Sequence, residues 1–280
     1  MNGAAVLLAL ASAATWGIAD FSGGLLSRKL PAVSVAVVSQ AAGSVALLMA
    51  FAAHGGDLNS RSFWIGTLAG IGGGSGLAAF YKALSLGTMS IVSPLAACGA
   101  LVPFGISLAS GERPSGIALV GAGLALAGAV LASIDEHRSE VPDRVRAIAL
   151  TLVAAVAFGL FYYFLGLGSR EGSLLSTLLG ARAGSLLFLV ALVVARRRPV
   201  RIPRRSLVPV AAVGLCDVSA NALFALASGH GLLSLVSVLG SLYPVATVLL
   251  AYVVLKERLT PLQIGGIGVA LAGVAALSSG

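Results

Sequence analysis

Charge is what this 280-residue chain has least of. Asp, Glu, Lys and Arg together make up 10% of it, where a soluble protein carries about a quarter, so most of a water-facing exterior is missing. A soluble globular fold is excluded. Cysteine is confined to Cys98 and Cys216, both inside apolar runs, which leaves no disulfide framework and no zinc-binding cluster. No metal and no cofactor are expected. Ten acidic residues against eighteen basic ones give a net charge of +8, but a nucleic-acid partner needs a basic patch on a folded polar surface. With no such surface to carry it, no nucleic-acid partner is expected.

What remains is apolar. Hydrophobic residues are 58% of the chain and the mean hydropathy is +1.01, so the chain reads as an all-α integral membrane protein. Apolar runs bounded by charge, proline or glycine number ten: Ala5 to Leu25, Val33 to Ala53, Phe63 to Leu84, Met89 to Leu108, Ser115 to Ile134, Ala147 to Leu167, Ser173 to Ala195, Leu207 to Ala227, Leu232 to Leu255 and Pro261 to Leu277. At about 20 residues each, ten transmembrane helices use about 200 positions and leave no room for a large extramembrane domain. The runs are continuous, whereas strands of a membrane barrel show about ten residues of alternating polarity. Ala11-Ser12-Ala13 resembles a signal-peptide cleavage site, yet no Lys or Arg precedes the first run.

The chain also matches itself. Shifted by 142 positions, Trp16-Gly17 falls on Phe158-Gly159, Gly24 on Gly166, Ser27-Arg28 on Ser169-Arg170, Gly72 on Gly214 and Ala83-Leu84 on Ala225-Leu226. A shift of 145 then places Glu112-Arg113 on Glu257-Arg258, and Gly121, Gly123, Ala125 and Gly128 on Gly266, Gly268, Ala270 and Gly273. Glycine and alanine matches are cheap in this composition; a repeated Glu-Arg pair is not. Two five-helix repeats follow, residues 1–138 and 139–280. Because five is odd, the second repeat enters the membrane from the opposite side, the inverted plan of secondary transporters with a midplane site between the halves. The first segment matches the internal sixth, so it is expected to be retained rather than cleaved.

On these residues the sequence resembles a known family. Ten helices in two repeats, an aromatic-Gly early in each, Ala181-Arg182 on the second helix of the later repeat, and Tyr243-Pro244 followed by Lys256-Glu257-Arg258-Leu259-Thr260-Pro261 and Gly265-Gly266 are similar to EamA-type transporters of the drug/metabolite transporter superfamily. The resemblance implies a carrier for a small organic solute or metabolite, export as its direction, and alternating access around a midplane cavity. The first repeat departs from the pattern: Gln40 stands where Arg182 stands, Gly99 where Pro244 stands, and Pro94 and Pro103 appear instead.

An ionisable side chain at mid-membrane costs about 2.5–3.5 kcal/mol on insertion scales, so each one is a functional candidate. Asp217 and Arg182 lie near the middle of their segments, Asp20 in the last third of the first, and Lys82 near the end of the third. Asp217 is either a cavity carboxylate, protonatable or substrate-pairing, or one half of a structural pair with Arg182. Asn221 shares its helical face at i+4 and, with Tyr243, offers neutral hydrogen bonds. Asp20 is either a cavity group or a helix-end carboxylate in water, and Lys82 reads as a snorkelling lysine. Trp16, Phe158, Tyr162, Tyr163 and Tyr81 are either a cavity wall for apolar or cationic solutes or belt and packing; Trp16 and Phe158 stand out by repeat equivalence. The expected substrate-binding set is therefore Trp16, Asp20, Gln40, Phe158, Tyr162, Arg182, Asp217, Asn221 and Tyr243. Glu112 and Glu257 read as capping and loop-fixing residues, the Gly66/Gly70 and Gly121/Gly266 series as close-packing faces, and Pro94, Pro103 and Pro244 as kinks in segments four and nine.

Two other readings compete. Gly73-Gly74-Ser75-Gly76 fits an intramembrane serine-protease motif, but such a nucleophile needs a histidine base, and His54, His137 and His230 fall at loops or helix ends. A channel, uniporter or lipid scramblase on the same helices would need no coupling residue, whereas a carrier admits proton or sodium coupling. The environment is a cell (inner or cytoplasmic) membrane, with lipid as the surrounding partner.

The charges also orient the chain. Loops after odd-numbered segments hold thirteen Lys and Arg, six of them from Arg196 to Arg205, against Arg61, Arg113 and Arg170 after even-numbered ones. The positive-inside rule then places both termini outside, while the family resemblance places both inside. A reporter fused after Gly280 decides the matter: the charge count predicts an extracytoplasmic signal, and a cytoplasmic one defeats it.

Overall fold

The computed structural model describes residues 2–54, 58–86, 89–132, 134, 143–197, 199–255 and 259–279. Among them there is no strand, and helices follow one another with short connections. They are α1 (Gly3–Lys29), α2 (Ala32–His54), α3 (Ser60–Leu86), α4 (Met89–Ala97), α5 (Leu101–Ala109), α6 (Gly116–Ala132), α7 (Arg144–Glu171), α8 (Leu174–Ala195), α9 (Arg204–His230), α10 (Leu233–Gly240), α11 (Tyr243–Leu255) and α12 (Pro261–Ser279). Seven stretches are long and apolar enough to cross a membrane, and three shorter apolar ones, Leu95–Ala109, Gly116–Ala132 and Pro261–Leu277, fall where the remaining segments were expected. Leu68, Val120, Val153, Leu187, Val208 and Leu271 are all exposed, an outside that suits hydrocarbon rather than water.

The fourth and ninth segments are each broken in two. A 3-10 turn at Cys98–Ala100 separates α4 from α5, and a turn at Ser241 and Leu242 separates α10 from α11. Pro103 and Pro244 stand just after the two breaks, where each lacks the N–H that would have bonded the carbonyl four residues back. Two of the three prolines thus locate the interruptions to within a turn, whereas Pro94 lies inside α4, which runs on to Ala97.

Helix contacts recur in symmetric pairs. On α6 and α12, a Cβ at Gly128 would strike Ala270 and one at Gly273 would strike Ala125, while Gly121 meets Leu277 and Gly266 meets Ala132. Each contact maps onto its partner under the 145-residue shift, and the numbering rises on one helix as it falls on the other. These two equivalent helices therefore run antiparallel, as inversion of the second repeat would require. Likewise Gly17 abuts Tyr243 and Thr247 on α11, while its counterpart Gly159 abuts Gly99 and Val102.

The connections after the second, fourth, sixth and eighth segments meet on one face. Arg61 pairs with Glu171 at 2.7 Å, Glu112 with Arg170 at 3.1 Å, and the Glu112 carboxylate reaches the start of α10. Two of the three arginines on this face are thus matched by acids.

Small residues set the spacing of the core. A side chain at Gly66 or Gly70 on α3 would collide with the carbonyls of Thr177 or Ala181 on α8, and one at Gly180 or Gly184 would collide with those of Phe63 or Thr67. Backbone meets backbone, the arrangement that holds helices together where lipid supplies no hydrophobic drive. Gly70→Ala is expected to destabilise by about 1–3 kcal/mol, read as a lower melting temperature in detergent. Gly268→Ala, where an added Cβ meets open space, should stay within about 0.5 kcal/mol.

Candidate functional site

A single cavity between the two repeats is lined by all nine of the expected residues. The i, i+4 pairs place Trp16 and Asp20 on one face of α1 and Asp217 and Asn221 on one face of α9, while Gln40, Arg182 and Tyr243 enter from α2, α8 and α11. Phe158 and Tyr162 come from α7, where Phe161 joins them at the intervening turn. The cavity encloses about 40 Å³, space for roughly three waters.

The polar centre is a three-residue knot. Arg182 Nη1 donates to Asp217 Oδ2 at 2.7 Å and also to Gln40 Oε1, while Gln40 Nε2 donates to the same Asp217 oxygen at 3.0 Å. Asp217 pairs with Arg182 and also lines the cavity. Arg182 is 3% exposed, so this pair is cut off from water on the arginine side. Such a charge is tolerable only because its partner is in contact, since stripping one member from a buried pair costs about 3–5 kcal/mol.

The knot also marks a place in the fold. Gln40 and Arg182 are 142 residues apart, the offset of the repeat itself, so they are counterparts that touch. Counterparts related by a twofold axis can meet only on that axis. The knot therefore lies where the two halves of the chain meet.

An aromatic group encloses it. The Trp16 indole N–H donates to Asn221 Oδ1 at 3.0 Å, and its ring lies 5.1 Å from Tyr162 and 5.6 Å from Phe224. Tyr162 and Phe224 stack at 5.2 Å. Tyr243 donates to the Ser93 carbonyl at 3.4 Å, tying α11 to the broken fourth segment. Asp20 lines the cavity from α1, which sets aside the helix-end reading.

Other candidates go elsewhere. Tyr81 is buried against Gly23 and Tyr163 packs on Phe164 at 5.3 Å; neither lines the cavity, and neither does Lys82. Phe161, Gly73, Leu77, Ala181 and Ser185 line it unanticipated. Phe161 was legible as the i+3 neighbour of Phe158, whereas small and aliphatic residues in this composition carry no signal. The Ser75 hydroxyl donates to Gly72 O within its own helix, and His230 Nδ1 lies 2.8 Å from Leu226 O. Among the described residues, Ser75 has no histidine base.

Glu112 caps a helix, though one in the other repeat. Its oxygens accept from the N–H groups of Leu233 and Ser234 at 2.9 and 3.0 Å, filling orphan donors at the start of α10, and from Arg170. Arg170 in turn donates to Ser228 O at 2.6 Å and to Gly231 O. Its repeat counterpart Glu257 lies outside the described residues.

Burial acts to raise the Glu112 carboxyl, but the bonds from Ser234, Leu233 and Arg170 outweigh it and hold the group below the usual range. A depressed value means the clasp contributes fully above the unfolded-state value of about 4.3 and is lost as pH falls through the lower folded value. Glu112→Gln should therefore destabilise the protein near neutral pH by about 1–3 kcal/mol, read as a lower melting temperature. The difference from wild type should shrink on acidification; a gap that stays constant with pH overturns the assignment.

The profile of the EamA-like transporter family matches residues 3–134 and 145–279, one match in each half. A solved structure described only as "Crystal structure of protein" is similar over 99% of this chain and 96% of its own, with a TM-score of 0.76 and 18% identity. That likeness is one of fold. No curated protein matches the chain.

Proposed function

The chain belongs to the EamA-like transporter family, and from that premise we propose a carrier that moves a small organic solute through the midplane cavity by alternating access. Ten crossings, with the broken fourth and ninth segments counted once each, accord with the joining of all four even-numbered connections on one face. The observation that carries the reading is the Gln40–Arg182–Asp217 knot. It costs most at the depth where it sits, and it stands in a cavity where both repeats meet.

The volume supports movement. A site for a drug-sized solute takes about 300 Å³ or more, so about 40 Å³ admits such a molecule only after the helices shift. The breaks beside Pro103 and Pro244 are at counterpart positions and supply a hinge in each repeat. Export is the direction the family resemblance suggests, and a cell membrane is the setting. For orientation the charge bias favours both termini outside, with the Glu112–Arg170 face extracytoplasmic.

The test starts with a thermal-shift screen of purified protein against amino acids, amines and organic cations. The solute giving the largest shift should enter proteoliposomes with saturating kinetics. Asp217→Asn should insert normally and lose flux by about tenfold or more. The charge-balanced Arg182→Gln, Asp217→Asn double variant should melt like wild type and still fail to transport, which separates function from folding. Unimpaired flux in Asp217→Asn removes this carboxylate from the mechanism. Flux that does not saturate and ignores every ion gradient identifies a channel or scramblase.

A further inference from the structure

The cavity holds one carboxyl more than it holds cations. Three ionisable side chains line it, Asp20, Arg182 and Asp217, and two of them pair across 2.7 Å. That leaves the Asp20 carboxyl, for which the described residues supply no cation. The titratable groups facing it from the helices packed around α1 are neutral: Tyr81 from α3, Tyr162 from α7 and Tyr243 from α11. Besides these, α2 offers only the Gln40 amide and α10 has no titratable residue, so Asp217, already held by Arg182 and Gln40, is the remaining charge. Lys82 follows Tyr81 on α3 but does not line the cavity.

Beside this carboxyl stand ring faces. Trp16 is one helical turn away on the same face of α1, and Tyr162 and Phe161 lie 5.1 and 6.4 Å from the Trp16 ring. A lone carboxylate next to aromatic faces, at low dielectric, is a recognition site for a cation.

Resting on the carrier reading of this cavity, we propose that Asp20 is its coupling carboxyl and that the cargo is a monovalent organic cation with an apolar or aromatic body, exchanged one for one with a proton. The charge count enforces the exchange. With Asp20 protonated and the site empty, the sum is zero: neutral Asp20, +1 on Arg182, −1 on Asp217. With cargo bound, the proton has left Asp20 for water at the open mouth, and the sum is again zero: −1, +1, −1 and +1 on the cargo. The two other states, empty and deprotonated or loaded and protonated, carry a net charge through the bilayer centre and are disfavoured. Only the balanced states cross.

The stoichiometry follows from the repeat. The counterparts of Asp20, Arg182 and Asp217 are Tyr162, Gln40 and Ser75, so duplication did not double any of the three charges. One free carboxyl means one proton and one cation.

Phenethylamine, phenylalanine and phenylacetate share a ring and differ in charge, and they make the test. In weakly buffered micelles, phenethylamine should bind wild type with release of about one proton, and its affinity should rise about tenfold per pH unit on the acid side of the Asp20 titration. Asp20→Asn should bind none and release none, while Asp20→Glu restores both with a shifted pH profile. If Asp20→Asn fails to fold, the wild-type proton count and the Asp20→Glu shift still decide. Binding of phenethylamine without proton release, or undiminished binding by folded Asp20→Asn, overturns the proposal. So does preference for phenylalanine or phenylacetate; if either then shows saturable flux that depends on Asp217, the carrier reading survives. No binding of any probe, with no saturable flux of any screened solute, ends both.

Discussion

Everything in this molecule is arranged around one buried ion pair, Arg182 with Asp217, completed by Gln40. Either charge alone at the bilayer centre is a penalty of several kcal/mol, so each fixes the other, and with it the relation of α8 to α9. Gln40 adds α2 by donating to the carboxylate and accepting from the guanidinium. Three helices from the two halves are thereby set in register. The pair is first of all a constraint, and anything that displaced Gln40 from Asp217 would loosen the contact between the halves.

That constraint works only if the helices come close, and closeness is the work of the glycines. Gly66, Gly70, Gly180 and Gly184 let α3 and α8 approach at backbone distance, which brings Arg182 within a 2.7 Å bond of α9. At the outer edge, Gly121, Gly128, Gly266 and Gly273 make the α6–α12 seam self-complementary. Between these tight seams lies the less regular part, the broken helices α4–α5 and α10–α11. The backbone at these breaks is covered by protein: Gly159 rests on the Gly99 carbonyl and Gly17 lies close to that of Tyr243, which accepts from the Thr247 hydroxyl. Irregular backbone is tolerated in a membrane only under such cover, so rigid seams and yielding breaks are two sides of one packing solution.

Much of this was legible beforehand because lipid simplifies the code. Long apolar runs, a 142-residue self-match and two prolines placed the segments, the repeats and the breaks; a charge inside such a run is rare enough to be noticed. Residues chosen one at a time for their cost in lipid line a single cavity, since polar groups without water gather where they can satisfy each other. The rest was illegible for equally physical reasons. Nothing in Glu112-Arg113 says that the acid caps α10 of the opposite repeat, because a loop residue's partner depends on which face its neighbours share. Tyr81 and Tyr163 read like Tyr162, yet they point into packing rather than the cavity. An aromatic in an apolar helix carries no mark of direction when the helix is hydrophobic all round.

The duplication also explains why the site is asymmetric on a symmetric frame. Some residues that set helix spacing keep their identity in both halves, Gly17 and Gly159, Gly72 and Gly214, Gly128 and Gly273, whereas the glycines of the α3–α8 seam do not: Gly66, Gly70, Gly180 and Gly184 stand opposite Val208, Ala212, Val38 and Ala42. Residues at the axis have no such freedom to stay alike. Were Gln40 an arginine like its counterpart, two guanidiniums would meet where one carboxylate waits, and the like charges would drive the repeats apart. A group on a twofold axis faces its own copy, so an ion pair there requires the copies to differ. Divergence of Gln40 from Arg182 is thus the chemical condition for burying the Arg182 charge where the two halves meet.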